Sequence, residues 1–391
     1  MPGPATDPAT DPATDPDPDS APADPWTRFA RTLRRKLLAE TTIARIAADA
    51  EAEYESGEGE EVEEEERTTF ASLPKVSIIA FNILKLRNNL EGTVDMWQRL
   101  MNEMSEHDVV ALTEVPASEE AYEKRVMWFE DVLNQLCSTE DNPAPWKHVV
   151  SKPSHAVSIY DATPEEERTP HTGGSKEVHV VFAKHPVKIV DHWTWTHADY
   201  KDKRVALDWA PLSVKLDVKH VQSMPEDTLV LTMVHLPPAQ RSDARNEQLS
   251  AMLGSYALVT KHCYGSAMTK NDADNMAIER AMHVIAGDFN TFPGATVNGK
   301  ADGEEVFGLT AGGWAAPVFG ALSATSSGCK AYDNILVDEE SWKRIEEGAD
   351  NGLLEMERTV HALKFPQKPD QRGISDHFPV SLTIRDRVLV E

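Results

Sequence analysis

Cysteine is nearly absent from this 391-residue chain. Only Cys137, Cys263 and Cys329 occur, and none stands in a CxxC pair. That excludes a disulfide-built scaffold and leaves no cysteine-based zinc motif. No apolar run approaches the roughly 20 residues that a membrane-spanning helix needs. The opening MPGPATDPATDPATDPDPDS lacks the basic start and apolar core of a secretory signal. The expectation is an intracellular, reduced protein of cytoplasm or nucleus, with no transmembrane segment. Positive charge is also scarce: 39 Lys and Arg stand against 65 Asp and Glu, a net charge of -26. A tight, static nucleic-acid binder ordinarily shows a basic face, so this balance argues against one. It argues less against an enzyme that touches few phosphates and brings its own cation, which is then the largest local charge in the site.

Much of the acidity is local. Residues 1–70 carry 18 acidic and 7 basic side chains. Residues 1–25 are a Pro/Asp/Ala/Thr repeat too polar to offset its ordering entropy, and disorder is expected there. Residues 26–73 read as a helical segment followed by an acidic linker. Phe29, Leu33, Leu37, Ile43 and Ile46 fall near helical spacing beside the basic cluster Arg34, Arg35, Lys36. Such a helix either packs on the domain that follows or frays in solution, or it binds a protein partner or a membrane surface. From residue 74 to 391 the pattern becomes that of one globular unit. Strand-like runs are expected at 76–84, 108–115, 177–183, 187–195, 211–218, 228–236, 283–287, 331–337 and 379–384. Helices are expected over a stretch bearing Val94, Trp97, Leu100, Met101 and Met104, over 119–136 and over 241–262, with a polar surface loop at 151–176. Many strands are apolar on both faces, which favours a layered α/β sandwich with the sheets inside.

Polar residues stand at the ends of these apolar runs. Asn82 follows VSIIAF, Glu114 follows DVVALT, His235 follows TLVLTMV, Asp288 and Asn290 follow HVIAG, and Asp376 and His377 precede the last strand. Ligands in α/β sheets gather at strand ends, so these residues can share one cleft. Carboxylates and amide oxygens are hard ligands suited to Mg²⁺, and a divalent ion polarises phosphoryl oxygens. Two histidines can act as general acid and base where each is oriented by a carboxylate. Glu177, in SKEVHVVF, and Asp333, in AYDNILV, can orient them. Each has a plainer reading: a Glu before a strand is ordinarily solvated, and His235 can be a hydrogen-bonded core histidine. Asp inside a strand is disfavoured, which singles out Asp333.

In this order, FN at 81–82, TEV at 113–115, VHL at 234–236, GDFN at 287–290, YDNIL at 332–336 and SDHFPV at 375–380 resemble the endonuclease/exonuclease/phosphatase superfamily. CKAYDNILV and ISDHFPV look most like its deoxyribonuclease-I branch. The resemblance spans about 75–387. It implies a four-layer α/β/β/α sandwich and Mg²⁺-dependent phosphodiester hydrolysis, with Mn²⁺ or Ca²⁺ as alternative ions. It implies Asn82, Glu114 and Asp376 as metal ligands, His235 paired with Glu177, and His377 paired with Asp333. Asp288 and Asn290 would orient the attacking water and hold the scissile phosphate. Nucleic acid, DNA or RNA, is the implied transient substrate.

The residues by which that branch grips duplex DNA are replaced. Pro116 stands where an Arg follows TEV, Ser175 where a Tyr precedes KE, and Trp209 near the place of a second Arg. The family's second cysteine after GDFN is missing. Arg204, Arg241, Lys330 and Arg372 can supply phosphate contacts, with Arg204 and Arg372 the candidates carried forward; solvated surface cations are the plainer reading. Trp193, Trp195 and Trp209 can stack a base or pack a core. Two other functions stand beside the nuclease: a phosphoesterase for a small or lipid phosphate such as an inositol phosphate or sphingomyelin, and a non-catalytic binding module on the same fold.

Overall fold

The computed structural model describes residues 28–39, 73–83, 94–117, 121–139, 141–152, 177–195, 209–224, 226–237, 248–249, 251–252, 281–290, 296–297, 300–301, 332–361 and 377–387. In chain order the elements are helix α1 (28–39), strand β1 (Lys75–Asn82), α2 (Val94–Ser105), β2 (Val109–Pro116), α3 (Ala121–Cys137), β3 (Trp146–Val150), β4 (Glu177–Lys184), β5 (Lys188–Thr194), β6 (Leu212–Asp217), β7 (Thr228–His235), β8 (Ala281–Asp288), β9 (Thr296–Val297), β10 (Lys300–Ala301), β11 (Asp333–Val337), α4 (Glu339–Asp350), β12 (Leu354–Val360) and β13 (Val380–Asp386). Short helical pieces also occur at 248–249 and 251–252. Among the described residues no helix is long and apolar enough to cross a membrane.

The strands form a six-stranded sheet ordered β12-β13-β1-β2-β4-β3, a five-stranded sheet ordered β11-β8-β7-β6-β5, and the small ribbon β10-β9. The two large sheets pack face to face. Val76, Ile78, Ala80, Val109, Ala111, Leu382 and Ile384 of one share a core with Val214, Leu229, Leu231, Met282, Val284 and Ile335 of the other. Each fully buried Val, Leu or Ile contributes about 1.5–3 kcal/mol, so this apolar middle layer dominates the stability of the sandwich. The opposite face of the first sheet, with Ile79, Phe81, Val110 and Leu112, is covered by α2 and α3 through Trp97, Leu100, Met101, Phe129 and Leu133. Phe29, Leu33 and Leu37 of α1 join that same core, Phe29 lying edge-on to Trp97 with ring centroids 6.2 Å apart. Arg34 donates to Gln135 and Lys36 pairs with Asp95. The apolar face of α1 is therefore covered by this chain. The outer face of the second sheet, with Val234, Ile285 and Phe289, meets helical Leu249 and Met252. The layers run α/β/β/α.

The expected strands and the first two domain helices occur where periodicity placed them. Only residues 248–249 and 251–252 of the helix expected at 241–262 are described, and the loop expected at 151–176 lies almost wholly outside the described residues. Five elements escaped the sequence pattern, the two-residue strands β9 and β10 among them. Strand β3 is a five-residue edge. Strand β12 is an edge carrying Glu355, Glu357 and Arg358, charges that discourage pairing with another chain. Helix α4 buries only Ser341 and Ile345, so its apolar stripe is too thin to read. Its start is set by Asp338, whose carboxylate accepts from the Ser341 N–H at 2.9 Å.

Strand direction positions the site. Each large sheet contains one parallel pair, β1–β2 and β7–β8, so the C-terminal ends of all four strands point to one edge. Their antiparallel neighbours β4, β11 and β13 bring N-terminal ends to that edge: Pro116 pairs with Glu177, Asp288 with Asp333, and Ala80 with Val380.

Candidate active site

Eight of the sequence candidates meet at that edge. Asn82, Glu114, His235 and Asp288 lie at or near the ends of the four parallel strands; Glu177 and Asp333 begin β4 and β11; His377 lies just before β13; Asn290 follows β8 by two residues. All except half-buried Asn290 are buried. Asp376, Arg204 and Arg372, with Arg241 and Lys330, lie outside the described residues.

The hydrogen bonds form two arms joined by one carboxylate. In the first arm, His235 Nδ1 lies 3.0 Å from Glu177 Oε2, and its Nε2 lies 3.3 Å from Glu114 Oε1. In the second, His377 Nδ1 lies 2.7 Å from Asp333 Oδ2. Asp288 Oδ2 sits between them, 3.8 Å from His235 Nε2 and 3.6 Å from His377 Nε2. The Asn82 amide donates to both Asp288 Oδ2, at 2.9 Å, and Glu114 Oε1, at 3.1 Å. The other Asp288 oxygen accepts from the Asn290 N–H at 2.8 Å, and the Asn290 side-chain amide donates to the Leu236 carbonyl.

Local backbone is bent to achieve this. Glu114 sits at a break in the β2–β4 register between Leu112 and Val115, with φ +55; Asn290 has φ +51. Left-handed backbone costs a glutamate about 1–2 kcal/mol, and such outliers cluster where side chains must be aimed. The bulge rotates the Glu114 carboxylate to the edge instead of leaving it to alternate across the sheet.

Charge is concentrated. Glu114, Glu177, Asp288 and Asp333 are four buried carboxylates sharing two imidazoles. Burial pushes the Glu114 carboxyl above its usual range; the His235 and Asn82 contacts oppose this, while Glu177 and Asp288 add to it. For His235, burial alone would lower the pKa, but the Glu177 hydrogen bond with the Glu114 and Asp288 charges outweighs it and the net shift is upward. His179, next to this pair, behaves oppositely: burial, with His235 pushing the same way, lowers it to about 3. It is neutral near neutral pH. Glu177→Gln removes the largest of the interactions that raise the His235 pKa. The limb of a pH–rate profile that reports His235 is expected to move to lower pH, because the imidazolium loses its stabilising carboxylate. A limb that stays put or moves up contradicts the pairing.

The sequence assigns Trp209 no single place. Its ring stacks on His235, centroids 4.0 Å apart and planes 12° apart, and so shields one imidazole face from water. Trp195 is buried with its Nε1 donating to Ser213, and Trp193 packs against the same apolar cluster. Nothing in the spacing of these tryptophans distinguishes the one that covers the histidine.

No protein-family model matches the chain, and no curated protein is similar to it in sequence. Solved structures similar to it include ANGEL2, described as a 2',3'-cyclic phosphatase in complex with adenosine-2',3'-vanadate, at 14% identity and TM-score 0.48, covering 81% of this chain and 97% of that one. The human Nocturnin catalytic domain with bound sulfate matches at 13% identity and TM-score 0.47, covering 80% and 94%. An endonuclease/exonuclease/phosphatase family protein from Leptotrichia buccalis matches at 14% identity and TM-score 0.46, covering 78% and 98%. By its own sheet order and layers, the fold is an α/β/β/α sandwich. These overlaps are partial, and the reading of the site rests on its own geometry.

Proposed function

We propose that the chain is a divalent-metal-dependent phosphodiester hydrolase, a deoxyribonuclease-I-like nuclease acting on DNA or RNA. The observation that carries this reading is the pair of carboxylate-held imidazoles whose Nε2 atoms both face Asp288 Oδ2. Glu177 and Asp333 fix the ring orientations through Nδ1, which leaves each Nε2 to take or give a proton. One imidazole serves the attacking water and the other the departing oxygen, with Asp288 between them orienting the water. Asn82, spanning Asp288 and Glu114, holds the two carboxylates in register.

The donor set suits a hard cation. Glu114 is a buried carboxyl aimed by a strained bulge into surplus negative charge, and Asn82 lies against it. Glu114, Asn82 and Asp376, the last adjacent in sequence to His377, are the residues that would hold Mg²⁺. When bound, the ion supplies charge stabilisation at the phosphoryl oxygen and the leaving oxyanion.

A second reading, a phosphoesterase for a small phosphate ester, is favoured by one feature: Trp209 roofs His235 where a duplex-gripping cation is expected. The experiment offers the purified chain, with Mg²⁺, linear and plasmid DNA, RNA and inositol phosphates. Cleavage of a nucleic acid supports the nuclease. Turnover of inositol phosphates alone supports the second reading, and turnover of none overturns both.

A further inference from the structure

A second cluster of ligand-type side chains shares no residue with the candidate active site. Glu103 is in the last turn of α2, His107 is on the turn into β2, and His361 follows β12. Glu103 Oε1 is 2.9 Å from His361 Nδ1 and 3.8 Å from His107 Nε2. The two imidazoles meet edge to face with centroids 5.4 Å apart. One donor atom from each residue lies within 4.8 Å of the others.

His107 is 7% exposed, and among the described residues neither of its ring nitrogens has a hydrogen-bond partner. A buried donor or acceptor left unmade is costly, and native structures rarely carry one without cause. His361 is held on its far side, Nε2 lying 2.7 Å from Ser381 Oγ. When that hydroxyl accepts from Nε2–H, His361 turns its Nδ1 lone pair toward Glu103. In that tautomer His361 offers Nδ1 to Glu103 without a proton, and a divalent ion placed among Glu103, His107 and His361 would serve all three donor atoms at once.

We propose that Glu103, His107 and His361 bind a divalent transition-metal ion of the zinc class. Tetrahedral zinc, with bonds of about 2.0–2.2 Å to nitrogen and oxygen, holds its ligand atoms ~3.3 Å apart. The observed 2.9 and 3.8 Å bracket that spacing. Two imidazoles and one carboxylate suit zinc and its first-row neighbours, whereas Mg²⁺ takes oxygen ligands. The Ser381 contact is the outer hydrogen bond that commonly fixes a ligating histidine. Glu103, 38% exposed at its side chain, leaves the fourth position open to water. The ion would tie α2 to the far edge of the first sheet, with Glu103 and His361 joined across most of the chain.

The full chain, stripped by dialysis against chelator, is titrated with Zn²⁺ calorimetrically and with Co²⁺ by visible absorption, both in excess Mg²⁺ to occupy hard-oxygen sites. One equivalent of Zn²⁺, tetrahedral Co²⁺ bands and a higher melting temperature with zinc are expected. Glu114→Gln keeps all three. His107→Gln, His361→Gln and Glu103→Gln each weaken binding at least about tenfold and abolish the zinc-dependent rise in melting temperature; Ser381→Ala weakens binding about tenfold. Should His107→Gln melt early without zinc, Glu103→Gln, on the half-exposed helix end, decides the matter. No zinc uptake by the wild-type chain, or uptake unchanged in Glu103→Gln and His361→Gln, overturns the proposal.

Discussion

Asp288→Asn is expected to lower kcat for phosphodiester hydrolysis by about 10²–10⁴-fold, the range that positioned acid–base groups contribute. The substitution is nearly isosteric. The side-chain oxygen that accepts from the Asn290 N–H is kept, so the turn after β8 is retained. What changes is the other oxygen. It receives the Asn82 amide and faces both Nε2 atoms. An amide NH₂ in that place sets donor against donor at Asn82 and removes the charge shared by the two histidines. The same loss lowers the His235 pKa, since the Asp288 charge helps to raise it. The check is kcat against pH together with thermal unfolding followed by circular dichroism. A kcat within about threefold of wild type, in a folded protein, contradicts the central place given to Asp288.

Gly287→Ala is expected to damage both stability and activity. A Cβ at Gly287 would lie 2.0 Å from the Val234 carbonyl oxygen, with two more Val234 backbone atoms at 3.1 and 3.2 Å. These are strand atoms in the β7–β8 ladder, where Val234 pairs with Gly287, so no flexible side-chain end can give way. Gly287 also has φ +141, a conformation that L side chains rarely adopt. Overpacking costs about 1–3 kcal/mol, and the strained backbone adds to it. The next pair in the ladder is His235–Asp288. Prising β7 from β8 therefore spreads the site itself, and a misplacement of about 1 Å is enough to cost about 100-fold in rate. Gly352→Ala is the control. Its φ of +73 imposes backbone strain, but among the described residues an added Cβ meets only Arg387 Nη1, at 3.9 Å, and activity should survive. Melting temperatures and kcat of both variants test this; an active, stable Gly287→Ala protein contradicts the packing argument.

The site was legible because its chemistry is local in the chain. Each strand end announces a polar residue after an apolar run, and GDFN and SDHFPV carry their neighbours with them. Glu177 was the hardest of the set to read, since a Glu before a strand is usually solvated; only the β2–β4 pairing, which sets it against Pro116, and its contact with His235 show why it is buried. Features that depend on three dimensions were not legible. The stack of Trp209 on His235 joins residues near the adjoining ends of β6 and β7, and their spacing has no signature. Glu103 and His361 come together only because β12, a strand hidden by its charge pattern, pairs with β13. The left-handed turn at Glu114 likewise looks like an ordinary strand residue until the register break in β2 is seen.

The most direct test of the hydrolase assignment is release of p-nitrophenol from bis(p-nitrophenyl) phosphate by the purified chain, with Mg²⁺ and with chelator. Turnover is expected to require the added ion, to be lost with chelator, and to fall in Asp288→Asn. Turnover that persists in chelator and is unaltered by Asp288→Asn is incompatible with a metal-assisted centre built on the four converging strand ends.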